Sequence, residues 1–203
     1  LCAAMWEAQP GRQVLDYWAG AGGKWLALAD AMNNKGRIVA MDIDKRRLDK
    51  AKPRFKRAGV SDIIEIRALE EERSRKWLKR QKGTFDVVLA DVPCSGTGTW
   101  RRNPDMRWRV FGPALEELIP VQADILDRVS RAVKPGGRLV YATCSLLPAE
   151  NEEQVEAFLQ KYPEFSIVSQ EDKPWVDGPY MRLSPHRHNT DGFFAAVLVR
   201  KQT

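Results

Sequence analysis

The stretch QVLDYWAGAGGKWLALADAM, residues 13–32, decides the fold of this chain. Its first four residues have the short apolar pattern of a buried strand, and residues 24–32 have the spacing of an amphipathic helix. Between them lies a loop with three glycines, which can adopt backbone dihedrals that a Cβ forbids. A strand, a glycine-rich turn and a helix in this order are typical of the first βα unit of a parallel sheet.

The same alternation of short apolar runs and longer amphipathic segments continues along the chain. We predict seven strands, at residues 13–16, 37–41, 63–67, 85–90, 138–143, 165–168 and 193–200. Helices are expected at residues 24–32, 45–58, 70–81, 113–133 and 149–161, after the end of a first helix at residues 1–8. A long polar loop separates the last two strands. The pattern predicts an α/β fold with a doubly wound, seven-stranded, mostly parallel sheet and an antiparallel carboxyl-terminal edge.

Length and composition limit the classes of protein to consider. The 203 residues suit one domain, and 43% hydrophobic with 30% charged residues excludes a disordered or fibrous chain. No run of about eighteen apolar residues occurs, which excludes a membrane-spanning segment. Three cysteines, an odd number, do not form a disulfide framework, and we expect a cytoplasmic protein in a reducing compartment. The chain begins at Leu1 without an initiator Met and without a signal-peptide pattern, and we expect a fragment.

The charge balance permits a polyanionic partner. Lys and Arg number 33 against 27 Asp and Glu, a net charge of +6, and the calculated pI is about 9.3. One basic stretch interleaves arginines with tryptophans: Trp100, Arg101, Arg102, Arg107, Trp108 and Arg109. That mixture suits the phosphates and stacked bases of single-stranded nucleic acid, although a solvent-exposed arginine-rich loop has the same composition.

The glycine loop and an acidic residue together indicate a nucleoside cofactor. Gly20, Gly22 and Gly23 allow the backbone to approach a ligand closely. Asp42 ends the second strand twenty residues beyond Gly22, at the distance from which a carboxylate can accept hydrogen bonds from ribose hydroxyls. The loop is neither G-x-G-x-x-G nor a P-loop, so S-adenosylmethionine fits it better than NAD or ATP. A turn that uses glycine only for packing remains the alternative.

Two cysteines and an aspartate follow neighbouring strands of the predicted sheet. Asp91 and Cys94 follow the fourth strand, and Cys144 follows the fifth. The carboxyl ends of parallel strands form the edge at which ligands bind in such sheets, so we expect these side chains there. Asp91 could hydrogen-bond a heterocycle or supply a proton, or only cap a turn. The cysteines lack metal-cluster spacing and a nearby histidine, so we expect no metal, and burial as small apolar residues is the alternative role.

Several motifs in order resemble those of the Sun-like (RsmB/NSUN-type) S-adenosylmethionine-dependent RNA cytosine-carbon-5 methyltransferases. They are DVPCSGTG (residues 91–98), RRNPD (101–105) and YATCS (141–145), with DYWAGAGGK (16–24) matching the cofactor loop and DGFF (191–194) the closing strand. The paired P-C-S and T-C-S motifs distinguish this family from DNA cytosine methyltransferases. The resemblance implies a Rossmann-like class I methyltransferase catalytic domain over residues 1–203, without the amino-terminal RNA-binding region that members normally carry.

The resemblance also implies a role for each site residue. Cys144 would be the nucleophile that adds to carbon 6 of cytosine, and Cys94 would help to release the methylated product. Asp91 would contact cytosine near ring nitrogen 3. The residues expected to bind the cofactor are Trp18, Ala19, Gly20, Ala21, Gly22, Gly23, Lys24, Asp42 and Asp91. The residues expected to bind RNA are Arg101, Arg102 and Asp105.

Two tryptophans depart from the family pattern, which usually has Cys at the position of Trp18 and often Thr at that of Trp25. They keep open a second class of function, a ribosome-assembly factor that binds RNA without turnover. A DNA cytosine methyltransferase, which would use Cys94 as its nucleophile, is a further alternative. On the resemblance we expect a monomer that acts on rRNA, with tRNA as the alternative substrate and with no membrane partner.

Overall fold

The structure is a computed structural model that describes residues 8–20, 22–108, 114–169 and 176–202. Its strands are β1 (Gln13–Tyr17), β2 (Arg37–Asp42), β3 (Ile64–Ala68), β4 (Phe85–Asp91), β5 (Val133–Thr143), β6 (Phe165–Ile167), β7 (Val176–Asp177), β8 (Tyr180–Leu183) and β9 (Phe193–Arg200). Its α-helices are α1 (Gly23–Ala31), α2 (Lys45–Ala58), α3 (Glu72–Arg80), α4 (Leu115–Ser130), α5 (Glu152–Lys161) and α6 (Pro185–His188). Three short 3₁₀ helices span Thr97–Thr99, Pro104–Trp108 and Pro148–Glu150.

The strands form one mixed sheet in the order β3-β2-β1-β4-β5-β9-β8-β7, with β6 also paired to β9. The first five strands are parallel, and β6 to β9 are antiparallel to their neighbours. The predicted α/β class, mostly parallel sheet and antiparallel carboxyl-terminal edge are therefore confirmed. Within the described residues the sheet has nine strands rather than the predicted seven. The two additional strands, β7 and β8, form a short hairpin in the segment predicted to be a polar loop.

Several element boundaries differ from the prediction. Strand β5 begins at Val133 rather than at residue 138, and the register of β4 against β5 shifts between Phe85 and Val87. The Pro135-Gly136-Gly137 sequence therefore lies inside a bulged strand, although by itself it indicates a turn. Helices α3 and α4 are shorter at both ends than predicted. The helical end predicted at residues 1–8 lies, except for Ala8, outside the described residues.

Helices cover both faces of the sheet and create two apolar clusters. On one face α1 and α2 contribute buried side chains such as Trp25, Leu48 and Phe55. On the other face α3, α4 and α5 contribute side chains such as Ile125 and Phe158. Burial on both faces is what produces the continuous apolar runs in the central strands. No helix among the described residues is long and apolar enough to cross a membrane.

The direction of chain progression reverses between β1 and β4, which are neighbours in the sheet. Ligands in open α/β sheets bind outside the carboxyl ends of the strands at such a reversal. The register sets Tyr17 opposite Ala90 and Asp91 opposite Ala142. The segments that follow β1, β4 and β5 therefore leave the sheet side by side.

Candidate active site

The glycine-rich loop after β1 is held against the end of β2 by backbone hydrogen bonds. The N–H groups of Trp18 and Ala19 both donate to the carbonyl oxygen of Met41, each at 2.8 Å. Trp18 has a φ of 75°, a left-handed conformation that is strained for a bulky residue. The sequence predicted a loop at this position, and the structure adds that its first turn is strained.

Asp42 anchors the same loop. Its buried carboxylate accepts hydrogen bonds from the N–H groups of Gly20 and Asp44, both at 2.8 Å. Asp44 itself caps α2 by accepting from the N–H of Arg46, as expected of an Asp before a helix. The ribose contact expected of Asp42 stays a prediction. In the structure this carboxylate determines the shape of the glycine loop.

Two of the loop glycines border open space. A Cβ at Gly20 or at Gly23 would meet no heavy atom within 4 Å, so the loop leaves room for a ligand against its backbone. Gly22, at φ 88°, has a different role, because a Cβ there would lie 3.0 Å from the ring of Trp25. Ala21, which was assigned to the cofactor site, lies outside the described residues.

Trp25 is a core residue that donates a hydrogen bond to a buried carboxylate. Its indole is fully buried, lies 5.2 Å from the ring of Phe55 between centroids, and donates from Nε1 to Oδ2 of Asp16 at 2.5 Å. The other oxygen of Asp16 has no hydrogen-bond partner among the described residues. Burial raises the pKa of Asp16 to about 6, against the opposing effects of Lys24 and of the indole. The departure from the family pattern at Trp25 therefore supplies a hydrogen bond inside the core.

Lys24 connects the glycine loop to the end of β4. Its ammonium group forms an ion pair with the carboxylate of Asp91, and the two side chains are 26% and 35% exposed. The pair joins segments 67 residues apart. Asp91 thus faces the glycine loop and is partly exposed, and its contacts with cofactor and cytosine stay predictions.

The thiols of Cys94 and Cys144 meet at this edge, with their sulfur atoms 3.2 Å apart. Both cysteines are free and half-buried. The N–H of Val92 donates to the carbonyl oxygen of Ala142 at 3.0 Å, which continues the β4–β5 pairing almost to the thiols. Across the described ranges, no group of three or more His, Cys, Asp and Glu could hold a metal ion.

The two thiols differ in acidity because one donates to the other. The hydrogen bond from Cys94 lowers the pKa of Cys144 below the usual value of a thiol. The same interaction, together with burial, raises the pKa of Cys94 far above the usual value. The thiolate is the nucleophilic form of cysteine, and the lowered pKa favours that form at Cys144; its role as the nucleophile stays a prediction.

Backbone contacts fix the two cysteine loops on each other. The N–H of Gly98 donates to the carbonyl oxygen of Cys144 at 2.9 Å, and the N–H of Gly192 donates to the carbonyl oxygen of Gly98 at 2.7 Å. A Cβ at Gly98 would lie 2.6 to 2.7 Å from both neighbours. Glycine at this position therefore permits three chain segments to pack by their backbones.

A buried carboxylate also joins the two cysteine loops. Glu150 is fully buried. It accepts from the N–H and hydroxyl of Ser95 at 2.8 and 2.5 Å, from the hydroxyl of Ser145, and from Nε2 of Gln122 at 3.0 Å. The sequence analysis placed Glu150 only at the start of a helix and gave it no role. Its partners lie between 5 and 55 residues away, so no local pattern marks it.

The predicted RNA-binding arginines lie beside the closing strand. Arg101 and Arg102 form ion pairs with the carboxylate of Asp191, at 3.9 and 3.2 Å, and their side chains are 53% and 68% exposed. Asp105 lies exposed in a 3₁₀ helix and stays a predicted RNA contact. The loop presents cationic groups to solvent.

Aromatic rings flank one further cation of this loop. The guanidinium of Arg107 lies 5.8 Å from the ring centroid of Trp100 and 5.2 Å from that of Trp108. Trp108 is 72% exposed. Arg109 lies outside the described residues.

A sequence model of the family described as 16S rRNA methyltransferase RsmB/F matches residues 3–199. The chain belongs to this family. Ribosomal RNA small subunit methyltransferase B of Yersinia pseudotuberculosis is 35% identical over 200 residues, which are 98% of this chain and 45% of that protein. The Yersinia pestis protein of the same name gives the same values. The chain spans less than half the length of these curated relatives.

Solved structures agree with membership of the RsmB/F family. The crystal structure of PH0851 is similar with a TM-score of 0.86 and 39% identity, over 97% of this chain and 44% of that chain. The structure of NSun6 from Pyrococcus horikoshii with SFG, an S-adenosylmethionine analogue, gives a TM-score of 0.84 and 27% identity, over 99% and 51%. The RsmB/F and Sun-type proteins are S-adenosylmethionine-dependent methyltransferases, and the sequence-based resemblance is confirmed.

Proposed function

We propose that this chain is the catalytic domain of an S-adenosylmethionine-dependent methyltransferase that modifies carbon 5 of cytosine in rRNA through a covalent cysteine–cytosine intermediate. One observation carries the proposal. The thiols of Cys94 and Cys144 lie 3.2 Å apart where β4 and β5 end, beside a loop with room for a nucleoside. Membership of the RsmB/F family supports the reaction class.

Cys144 acts first in this mechanism. Its thiolate forms a bond to carbon 6 of cytosine, which makes carbon 5 nucleophilic. The hydrogen bond from Cys94 lowers the pKa of Cys144, so the reactive thiolate is stabilised before the base arrives. Asp91, paired with Lys24 and a third exposed, can reach the polar edge of the ring.

Cys94 acts after the methyl group has moved. While Cys144 is a thiolate, the hydrogen bond between the sulfurs raises the pKa of Cys94 and keeps it protonated. Once Cys144 is bonded to carbon 6 it is a neutral thioether, so the largest cause of that raised pKa is gone. Cys94 can then ionise by releasing its own proton to solvent, and it accepts the proton from carbon 5. Loss of that proton restores the carbon 5–carbon 6 double bond, breaks the bond to sulfur and returns Cys144 as a thiolate.

The glycine loop is the place for the cofactor. When bound, S-adenosylmethionine supplies an electrophilic methyl group. The open space beside Gly20 and Gly23 would accommodate its methionine end, and Asp42, which holds the loop, would bind the ribose. The unpartnered oxygen of Asp16 is a second buried acceptor at this edge. These residues fit the cofactor.

The RNA contacts assigned to Arg101, Arg102 and Asp105 complete the proposal. The two arginines are exposed beside Asp191, and their charges match a phosphate backbone. We prefer rRNA to tRNA because the family and the curated relatives carry rRNA in their names.

The test of this function is the trapping of the covalent intermediate. Cys94→Ser should bind RNA, form the bond to cytosine and fail to release it, leaving a protein–RNA species that survives denaturing electrophoresis. Cys144→Ser should give neither the species nor methylated RNA, since a serine hydroxyl is far too weakly acidic to replace the thiolate. The double variant is the matched control and should show no adduct.

Three outcomes would contradict parts of the proposal. If Cys144→Ser formed the adduct and Cys94→Ser were inactive, Cys94 would be the nucleophile, as in DNA cytosine methyltransferases. Binding of RNA without methylation by the unmodified chain would favour the non-catalytic assembly factor. Methylation of tRNA transcripts but not of small-subunit rRNA would show that tRNA is the substrate.

A further inference from the structure

Glu150 is a buried carboxylate that the proposed chemistry does not use. It is fully buried, and no Lys or Arg among the described residues forms a salt bridge with it. A buried charge without a cation is costly unless hydrogen bonds satisfy it. Glu150 satisfies both oxygens with donors taken entirely from the segments around the two cysteines and from α4.

On the Cys94 side the carboxylate fixes the residue next to the thiol. Oε1 accepts from the N–H of Ser95 at 2.8 Å, and Oε2 accepts from its hydroxyl at 2.5 Å. Nε2 of Gln122 donates at 3.0 Å both to Oε1 of Glu150 and to the carbonyl oxygen of Pro93. Cys94 therefore lies between Ser95, which hydrogen-bonds Glu150 directly, and Pro93, which is linked to Glu150 through Gln122.

On the Cys144 side the same carboxylate accepts from the hydroxyl of Ser145. The hydroxyl of Tyr141 donates to the carbonyl oxygen of Glu150 at 2.6 Å, and Nδ2 of Asn151 donates to the carbonyl oxygen of Ser145 at 3.0 Å. The turn that carries Glu150 is thus attached to the loop of the nucleophile on both sides.

Each cysteine is consequently one residue from a serine that hydrogen-bonds one shared carboxylate. The loops come from positions 50 residues apart, and their thiols have to remain at a separation that allows a hydrogen bond. A rigid acceptor between Ser95 and Ser145 fixes that separation directly.

We propose that Glu150 is a positioning residue that sets the distance between the two thiols and thereby couples formation of the adduct at Cys144 to its release by Cys94. The inference rests on the proposed function, in which Cys144 forms the adduct and Cys94 releases it. Glu150 touches neither cytosine nor cofactor in this scheme and acts only through the two serine-bearing loops.

The distance between the thiols can be tested without RNA or cofactor. Phenylarsine oxide binds two neighbouring thiols at once and loses water, so capture of one arsenical by the chain, measured by mass and titration, reports a close pair. Glu150→Ala should weaken capture at least tenfold, while each cysteine is still alkylated singly by iodoacetamide. Glu153→Ala is the matched control, since Glu153 is exposed in the first turn of α5, three residues from Glu150, and it should capture as the unmodified chain does.

Rescue by the conservative variant separates positioning from charge. In Glu150→Gln the amide oxygen can accept from Ser95 and Gln122, and the amide nitrogen can donate to the two rotatable hydroxyls. We expect this variant to keep arsenical capture within twofold. With RNA, Glu150→Ala should accumulate the denaturation-resistant adduct that Cys94→Ser shows, and Glu150→Gln should not.

Unchanged arsenical capture in a folded Glu150→Ala would overturn the inference, as would loss of capture in Glu150→Gln equal to that in Glu150→Ala. If Glu150→Ala lacks a cooperative thermal transition, Ser95→Ala and Gln122→Ala carry the same test, because each removes a donor on the Cys94 side only. Absence of any adduct in Cys94→Ser would contradict the proposed function and leave the capture result standing.

Discussion

Two aspartates on neighbouring strands lie at opposite ends of the sheet in opposite electrostatic environments. Asp86, near the start of β4, accepts from Nη1 of Arg12 at 2.9 Å and from the N–H of Gln13 at 2.8 Å, and it also pairs with Lys134. Burial alone would raise its pKa, but these partners together hold the pKa of Asp86 below the usual value. Asp16, near the end of β1, has one partner for two oxygens and a raised pKa.

This difference indicates that one end of the sheet contributes mainly to stability and the other end mainly to function. At the amino-terminal end a buried charge is fully paired and holds three segments together. At the carboxyl-terminal end the chain retains an unpartnered acceptor, a strained Trp18 and a reactive pair of thiols. Strain and unsatisfied groups of this kind concentrate at functional sites.

Removing the paired carboxylate should have the largest effect on stability. Asp86→Ala leaves Arg12 and Lys134 without their partner and the N–H of Gln13 without an acceptor, and we expect the free energy of unfolding to fall by about 3 to 4 kcal/mol. Denaturant titration measures it. Asp62→Ala, at an exposed position, should cost less than about 0.5 kcal/mol. Equal losses in both variants would remove Asp86 from its role as a structural anchor.

Neutralising the carboxylate of Asp16 should act in the opposite sense, with an effect that develops between about pH 4 and pH 6 and persists above. The folded-state pKa of Asp16, about 6, lies above the usual 3.8, so the folded chain holds the proton more tightly. That stabilisation is complete below about pH 4 and is lost as the pH rises through about 6. Relative to Asp16→Asn, the unmodified chain should therefore lose about 3 kcal/mol between those values. A difference independent of pH would refute the raised pKa.

Asp42 tests a third arrangement, a buried carboxylate at the functional end that is fully hydrogen-bonded. Asp42→Ala releases the N–H of Gly20 and loosens the glycine loop. We expect S-adenosylmethionine to bind about 2 kcal/mol more weakly by calorimetry, or roughly 30-fold. Asp44→Ala, which removes a helix cap two residues away, is the control and should leave the dissociation constant within about threefold. Unaltered binding in Asp42→Ala would show that the cofactor does not bind at this loop.

The smallest expected effect is on the salt dependence of RNA binding. At the functional end of the sheet the arginines are exposed, whereas at the other end Arg12 and Lys134 pair with Asp86. Arg101→Glu with Arg102→Glu should flatten the slope of log affinity for RNA against log salt by about two. Lys50→Glu with Arg57→Glu makes the same charge change on the exposed face of α2 and should leave the slope unaltered. Filter binding over a salt series measures both. Identical slopes in the two variants would show that RNA binds elsewhere.

The sequence predicted the parts of the site that depend on strand order. Asp91, Cys94 and Cys144 follow two apolar runs that become adjacent parallel strands, so a rule about sheet edges was sufficient to bring them together. The same reasoning placed the glycine loop opposite Asp42.

The parts that sequence did not predict depend on contacts between distant side chains. Glu150 belongs to an acidic run that by itself indicates only a helix start, and its role arises from Ser95 and Gln122 far along the chain. Trp25 looked like an obstacle beside the cofactor loop, whereas its indole lies in the core on Asp16. The hairpin of β7 and β8 was missed because strands of two and four residues leave no periodic pattern.

The strand order also indicates where this chain tolerates a label. Strands β4 and β5, which lead to the two thiols, lie in the middle of the sheet, while β7 lies at its border and, among the described strands, pairs only with β8. The turn between them contains Gly178, exposed and at φ 65°. Exposed turns of this kind accept inserted peptides with little loss of folding. An affinity tag or a fluorophore attached at Gly178 would therefore report on RNA capture while the central strands of the sheet keep their pairing.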